Sequence, residues 1–300
     1  MNNAAEKTAG AGRPIVPRIV YHDRYNIRTP GLNQLHPFDT CKFQRAWDLI
    51  RRDLGKQADA LHLPTDRAAE TRELLLVHTS EYIASLESSL VIAAAVEVPL
   101  IAAMPYFMVR PILIEPMLWA TRGTIIAAET AMTEGAAIHL GGGYHHAGME
   151  QGQGFCLFAD ISIAVAVLCS HGLIERGARV AVIDLDAHRG NGIAQIHRDD
   201  PSVLIFDMYN CRTYPRDKET VARIDCPIPL EPLTSDDEYL LQLQRNLPAF
   251  LEQHGPFALA IYNAGTDVYM DDPLGGLSLS AAGILERDLF TTAELSKRGI

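Results

Sequence analysis

The sequence predicts a single-domain α/β fold whose mainly parallel sheet is covered by helices on both faces. Apolar, β-branched runs alternate with helical patterns along most of the chain, and this alternation is typical of parallel sheets. Polar clusters follow three of the predicted strands, where open parallel sheets place their ligand sites. No fixed-period repeat, low-complexity tract or Pro/Ser-rich linker divides the 300 residues, so one domain is expected.

Five runs of apolar and β-branched residues, each ending in polar or glycine-rich residues, predict buried strands. The predicted strands are Pro17–Tyr21, Ala136–Leu140, Arg179–Leu185, Val203–Phe206 and Phe257–Tyr262. The predicted helices are Phe43–Leu54, Trp119–Thr133, Ile161–His171, Asp237–Gln253 and Ala281–Ser296. Residues 1–15, rich in alanine, glycine and asparagine, are expected to form a disordered tail before a domain of residues 16–300.

Composition and charge disfavour several classes of protein. The formal net charge of −11 opposes direct nucleic-acid binding, which depends on Lys and Arg side chains that neutralise phosphates. The five cysteines are scattered and form no C-x-x-C pair, so neither a disulfide framework nor a thiolate zinc site is predicted. Because the N-terminal residues contain no apolar secretory signal, a cytoplasmic protein is expected.

The apolar segment Leu90–Val109 is about long enough to cross a membrane, but Glu97, Pro99 and Pro105 interrupt it. We therefore expect no membrane span and predict a buried helix followed by an apolar loop. Alternatively, the loop through Met104–Met108 lines the mouth of a pocket, because apolar rims often mark ligand sites.

The strongest local signal is the segment Ile183–His188, which runs from a strand into the turn Arg189–Gly192. On a regular strand Asp184, Asp186 and His188 share one face, so Asp186 and His188 can converge on one cation. Carboxylate oxygen and imidazole nitrogen are standard ligands of zinc and of ferrous iron. In isolation the pattern also fits an aspartate that caps the next helix and a histidine bonded to the backbone.

A second polar cluster follows the strand that ends at Tyr262. Gly265 permits a close approach of the backbone, and Asp267 stands shortly after the strand. Asp267 is therefore the natural third ligand beside Asp186 and His188. Two carboxylates and one imidazole leave a coordination position open for water and substrate, as in catalytic rather than structural zinc sites.

Tandem histidines, His145 and His146, follow a glycine-rich turn after the strand that ends at Leu140. Consecutive residues of a strand face opposite sides, so a loop near the metal suits the pair better. There one ring can accept a proton while the other, bonded to a carboxylate, supports developing charge. Alone, the pair fits a solvated loop equally well. Three such clusters at separate strand ends are far less often accidental than one.

Two aromatic residues are candidates for the walls of this site. Phe155 follows Gly154 shortly after the tandem histidines, and Tyr214 precedes Pro215. The alternatives are an ordinary core position for Phe155 and a surface turn for Tyr214.

At these residues the sequence resembles the zinc-dependent histone deacetylase family, and within it the class IV branch, over nearly the whole chain. The segments that carry the resemblance are Leu35–Asp39, Gly141–Ala147, Gly154–Cys156, Asp184–His188, Tyr262–Asp267 and Asp272–Ser278. The resemblance implies an arginase/deacetylase-like α/β fold in which Asp186, His188 and Asp267 bind zinc.

The resemblance also implies hydrolysis of the amide of an acylated lysine in a peptide or protein. A water on the zinc would attack the carbonyl, with His146 as general base and acid and with His145, held by Asp184, assisting electrostatically. The channel for the lysine stem would be lined by the Gly154 carbonyl, Phe155 and Tyr214. Acetyl is the family's generic acyl group, the class IV branch implies long fatty acyl groups, and acetylpolyamines are a further option.

Two departures from the family pattern bear on activity. Asn191 stands where several members carry an acid that partners the second histidine, and the class IV branch is similar in having Asn there. An amide holds the ring without adding charge, so a less basic His146 is expected.

Family members continue into a strand and a loop whose tyrosine donates to the substrate oxygen, whereas this sequence ends at Ile300. Lack of such a donor can cost about 10²–10³ in rate, so the rival hypothesis is a weak or inactive acyl-lysine-binding module.

Overall fold

In the computed structural model, which describes residues 16–28 and 39–300, the chain is built around two parallel sheets. The first contains β1 (Arg18–Tyr21), β2 (His62–Pro64) and β3 (Ala137–His139), with β1 between the other two. The second contains β4 (Val180–Asp184), β5 (Val203–Asn210), β6 (Cys226–Leu230) and β7 (Leu259–Asn263), in the order β6–β5–β4–β7. Every pairing in both sheets is parallel.

Helices occupy most of the chain between the strands. They are α1 (Lys42–Leu54), α2 (Lys56–Leu61), α3 (Thr71–Leu74), α4 (Ser80–Ser85), α5 (Ser89–Ala95), α6 (Tyr106–Val109), α7 (Glu115–Glu134), α8 (Asp160–Ser170), α9 (Asn191–Ile196), α10 (Asp236–His254) and α11 (Ala281–Ser296). Short 3-10 turns lie at Asp23–Tyr25, Pro99–Ala103 and Thr220–Arg223, and a π turn lies at Arg110–Ile114.

Strand β4 shows how the four-stranded sheet is held between two apolar layers. Val180 and Val182 belong to one core cluster, whereas Ala181 and Ile183 belong to another that includes Leu243 of α10. Successive side chains of a strand point to opposite faces, so an uninterrupted apolar run is buried on both sides. Strand β4 is therefore covered on both faces, and its one acid, Asp184, stands at its last position.

The predicted α/β class is confirmed, with parallel strands and helices on both faces. All five predicted strands and all five predicted helices are present, with bounds that differ by a few residues. The single sheet that was expected is divided into two, and no strand of one sheet pairs with a strand of the other in the described residues. Residues 1–15 and 29–38 lie outside the described residues, and with them the predicted N-terminal tail and Leu35–Phe38 of the first family segment.

Two strands and several short helices escaped prediction. β2 contains Pro64, and β6 contains Pro227 and Pro229. Proline has no backbone donor and argues against a central strand, but both strands lie at the edge of a sheet, where a missing donor is tolerated.

The predicted apolar loop within Leu90–Val109 is wrong. After α5, Pro99 begins a 3-10 helix and Pro105 immediately precedes α6. Proline suits the first turn of a helix because the amide it lacks has no intrahelical partner there. Among the described residues, no helix is both long enough and apolar enough to cross a membrane.

The packing of α10 against the four-stranded sheet predicts a sharp contrast between two leucines. Leu243 is 0% exposed and Leu241 is 63% exposed. We expect Leu243→Ala to lower the free energy of unfolding by about 2–5 kcal/mol, because it leaves a cavity. The matched surface change Leu241→Ala is expected to stay within about 0.5 kcal/mol. Urea denaturation measures both, and equal losses would contradict this packing.

Candidate active site

The polar clusters meet at the carboxyl ends of the neighbouring strands β4 and β7. Asp184, the last residue of β4, pairs with Asn263, the last residue of β7. One further backbone hydrogen bond, from Leu185 N to Asn263 O at 3.0 Å, follows this pair. Because the two strands are parallel, the segments that carry Asp186 and Asp267 leave the sheet at the same edge.

The three predicted metal ligands converge at this edge. Asp186, His188 and Asp267 each offer a ligand atom, and these atoms lie within 4.8 Å of one another. His188 Nδ1 is 2.7 Å from Asp267 Oδ2 and 3.2 Å from Asp186 Oδ1. The Ala187 amide donates to Asp267 Oδ1 at 2.9 Å, which orients that carboxylate.

Gly265 allows the two ligand-bearing segments to approach each other. A Cβ atom at this position would lie 2.5 Å from Asp186 Oδ2 and 2.5 Å from Asp186 Cα. Any side chain would therefore displace the backbone that carries the first ligand. The glycine is needed for close approach rather than for an unusual backbone angle.

Electrostatics favour a cation among these three residues. Burial alone would lower the pKa of His188, but its hydrogen bonds to Asp186 and Asp267, and their charges, raise that pKa to about 10. Burial and the charge of Asp186 raise the pKa of Asp267 to about 6. Two carboxylates that repel each other and one imidazole nitrogen are a donor set that a divalent cation satisfies, with His188 binding as the neutral ring. The residues fit a metal ion.

The tandem histidines lie beside this cluster and are 4% and 5% exposed. His145 Nδ1 donates to Asp184 Oδ2 at 2.7 Å, and His146 Nδ1 donates to Asn191 Oδ1 at 2.7 Å. Their Nε2 atoms are 3.1 Å apart. The ring centroids of His146 and His188 are 5.9 Å apart. The structure thus brings together the tandem histidines, their two predicted partners and the predicted ligands.

The two histidines have opposite electrostatic environments. Burial opposes a charge on His145, but Asp184 and Asp186 outweigh it and raise the pKa of His145 to about 9. Burial and the adjacent charge of His145 lower the pKa of His146 well below its usual value. At neutral pH the pair therefore contains one cationic ring and one neutral ring whose Nε2 can accept a proton.

Two further side chains surround Asp184. Asn263 Nδ2 donates to Asp184 Oδ1 at 2.9 Å. Asp207 of β5 is fully buried and accepts a 2.9 Å hydrogen bond from the Gly190 amide through Oδ2. Burial and the charge of Asp184 raise the pKa of Asp207 well above its usual value. Burial and the neighbouring carboxylate thus both disfavour the ionised form of Asp207.

Asp160, the first residue of α8, holds the glycine-rich turn that presents the histidines. Its carboxylate accepts hydrogen bonds from the amides of Gly143 at 2.9 Å and Tyr144 at 2.8 Å. Thr124 Oγ1 also donates to it at 2.5 Å. Gly142 and Gly143 have φ angles of 69° and 76°, which L side chains rarely adopt. The turn is therefore fixed immediately before His145.

The predicted channel residues have different placements. The Tyr214 ring centroid is 5.0 Å from that of His146, and its side chain remains 38% exposed. Tyr214 Oη donates to Gln153 Oε1 at 2.9 Å. Phe155 is only 6% exposed and belongs to the larger apolar core. The Gly154 carbonyl accepts from the Cys156 thiol at 3.3 Å, and the Gly154 backbone packs against the His146 ring.

Three of these polar residues had no assigned role in the sequence interpretation: Asp160, Asp207 and Asn263. An acid at a helix start is common enough to suggest only a cap, which concealed Asp160. Asp207 follows the predicted end of its strand, although the strand continues to Asn210. The sequence offered one signal for Asp207, an acid within an apolar run. A buried acid of this kind needs a hydrogen-bonding partner, which indicates a structural or functional role.

Comparisons with known proteins agree with this geometry. The family model described as the histone deacetylase domain matches residues 36–297. Histone deacetylase 2 of Arabidopsis thaliana is 41% identical over 272 residues, which are 90% of this chain and 68% of that protein. Acetoin utilization protein AcuC of Bacillus subtilis is 28% identical over 278 residues, covering 87% of this chain and 68% of that protein.

The solved structures show the same fold. The crystal structure of the HDA15 HD domain matches with a TM-score of 0.73 at 20% identity, over 94% of this chain and 81% of that chain. The family match supports deacetylase activity, which is a hydrolase activity. The fold of this family implies a catalytic metal ion, and Asp186, His188 and Asp267 form the candidate site for that ion. The chain belongs to the histone deacetylase family of the arginase/deacetylase superfamily.

Proposed function

We propose that this protein hydrolyses the amide of N-acyl-lysine, with zinc held by Asp186, His188 and Asp267 and with His146 as general base and acid. The observation that supports this most is the position of a buried neutral histidine next to a cluster of three metal-ligating side chains. Within the family, we assign the chain to the class IV branch, and its cytoplasmic location stays a prediction. Ferrous iron is the alternative metal, because the same donor set suits it.

A divalent cation at this site, when bound, supplies Lewis acidity that polarises the amide carbonyl and makes water more acidic. His146 accepts a proton from the attacking water at Nε2, since Nδ1 is already committed to Asn191. The water oxygen bonds to the carbonyl carbon, the C–N bond breaks, and His146 returns the proton to the leaving lysine amine. His145, held by Asp184, places positive charge beside the developing negative charge.

The proposed substrate is an acylated lysine in a peptide or protein, and both short and long acyl groups are candidates. The half-exposed Tyr214 ring beside His146 offers a flat wall for an alkyl stem. The family resemblance leaves small acylated amines, such as acetylpolyamines, as a second candidate class. The same residues would perform the chemistry in either case, so the classes differ in what the rim of the site recognises.

Turnover on matched peptides tests the proposal. We expect the zinc-loaded chain to convert acetyl-lysine or myristoyl-lysine peptides to the deacylated peptides and the free acid, as measured by mass spectrometry. His146→Ala is expected to lower the rate about 10²–10⁴-fold, the usual contribution of a general acid–base residue. Assays with an acetylpolyamine and with ferrous iron, under the same conditions, distinguish the substrate and metal alternatives.

Three results would contradict the role of His146, the substrate class or the enzymatic activity, respectively. Equal turnover by the wild type and His146→Ala would remove His146 from the mechanism. Turnover of the polyamine alone would replace lysine peptides as the substrate class. Tight peptide binding without turnover, with zinc loaded, would favour the binding module over the enzyme.

The pairing of His146 with an amide rather than a carboxylate predicts a pH effect. In Asn191→Asp a carboxylate would face His146 Nδ1, and a nearby anion favours the imidazolium form, so the pKa of the base rises. The ascending limb of the pH–rate profile should therefore move to higher pH. Asn246→Asp adds the same charge on α10 and is the matched control. An unchanged profile in Asn191→Asp would refute this account of the pair.

A further inference from the structure

Arg287 is a fully buried arginine on α11, outside the set of residues that the mechanism uses. A guanidinium is always charged, and burying it is costly unless hydrogen bonds and an opposite charge compensate. Arg287 is therefore expected to make contacts that compensate for the loss of hydration. Those contacts lie at the metal-binding end of β4 and β7.

A single nitrogen of Arg287 connects the two segments that carry the carboxylate ligands. Nη1 donates to the Leu185 carbonyl at 3.0 Å and to the Gly265 carbonyl at 2.7 Å. Leu185 immediately precedes Asp186, and Gly265 lies two residues before Asp267. The guanidinium therefore contacts one peptide group in each of the two segments that carry the carboxylate ligands.

These contacts lie at the point where the sheet stops holding the two segments together. The paired part of β4 and β7 ends at Asp184 and Asn263, and the Leu185 N to Asn263 O bond follows it. Beyond that bond neither segment belongs to a strand. Since Gly265 has no side chain, the backbones can lie close enough for one nitrogen to bind both carbonyls.

The orientation of Arg287 is itself fixed from β7. Arg287 Nε donates to Asp288 Oδ1 at 2.8 Å, and Tyr262 Oη donates to the same oxygen at 2.5 Å. Asp288 thus supplies the opposite charge and links the guanidinium to a residue of β7. Arginine suits this role better than lysine because its planar group donates in several fixed directions at once.

We propose that Arg287 is a positioning residue that sets the separation of Asp186 and Asp267, and through it the affinity and geometry of the metal site. This inference rests on the proposed function only in assigning a metal to those ligands. Loss of the guanidinium would free the two carbonyls and allow the ligand-bearing segments to move apart. Changes to groups that orient metal ligands typically cost about 10–100-fold in metal affinity.

The test measures metal binding rather than turnover. The full chain and its Arg287→Lys variant compete with a chromophoric chelator for zinc, and the visible absorption of the cobalt-substituted forms is recorded. We expect Arg287→Lys to weaken zinc binding by about 10–100-fold and to alter the cobalt spectrum, because lysine donates from one point only. Asp288→Ala, at a side chain that is 39% exposed, should give a smaller change in the same direction.

Arg223 is the matched control, because it also donates to backbone carbonyls but lies away from the metal site. Its side chain binds the carbonyls of His197 at 2.5 Å, Asp200 at 2.8 Å and Val203 at 2.6 Å, at the opposite end of β5. Arg223→Lys should lower the free energy of unfolding and leave zinc affinity and the cobalt spectrum unchanged.

The outcomes separate this inference from the proposed function. If folded Arg287→Lys binds zinc as the wild type does, with the same cobalt spectrum, the inference is wrong. If that variant fails to fold, Asp288→Ala decides, and unchanged affinity there overturns the inference. A wild-type chain that binds zinc but hydrolyses nothing refutes the function and leaves the positioning role measurable. A wild-type chain that binds no metal refutes both.

Discussion

The parallel pairing of β4 with β7 is the constraint on which the rest of the site depends. Its register places Asp184 opposite Asn263, so the segments that follow the two strands start side by side. Asp186 and His188 come from the first segment and Asp267 from the second, which brings distant parts of the chain to one point. Gly265 then permits the closest approach. A one-residue slip would turn Asn263, the last residue of β7, to the other face of the sheet and away from Asp184.

Acids that lie close together inside the fold repel one another unless positive charge compensates them. Asp184, Asp186 and Asp267 lie close together, and burial disfavours their ionised forms. Asp184 lies 2.7 Å from the ring of His145, and burial beside Asp184 disfavours the ionised form of Asp207. The remaining pair, Asp186 and Asp267, has His188 between them, and a divalent cation is what this arrangement accommodates. The two carboxylates that would otherwise repel each other are thus the same groups that hold the metal ion in the proposed chemistry.

Much of this arrangement could be predicted from the sequence, because the signals are local. The apolar runs before Asp184 and Asn263 identify β4 and β7, and acids at strand ends indicate where a ligand site forms. Polar clusters follow three predicted strands, and this pattern predicted that the tandem histidines and Asp186 would lie at one site. The partnership of His146 with Asn191 came from family resemblance, and the structure places the two side chains 2.7 Å apart.

The parts that escaped prediction depend on contacts between distant segments. The prolines of β6 conceal a strand that is possible only at an edge. Asp160 looks like a helix cap, yet it holds the turn before His145. Arg287 lies 102 residues from Leu185, and no spacing along the chain indicates that its side chain reaches that carbonyl. Local patterns therefore locate the site, whereas its supporting contacts require the fold.

The most direct test of the central claim is the zinc stoichiometry of the metal-free full chain, measured by isothermal titration calorimetry. We predict one zinc ion per chain, lost in Asp267→Ala and retained in Asp271→Ala, which removes an exposed acid four residues away. Loss of binding only in the first variant would support a metal held between the ends of β4 and β7. Equal binding by both variants, or no binding by the wild type, would contradict it.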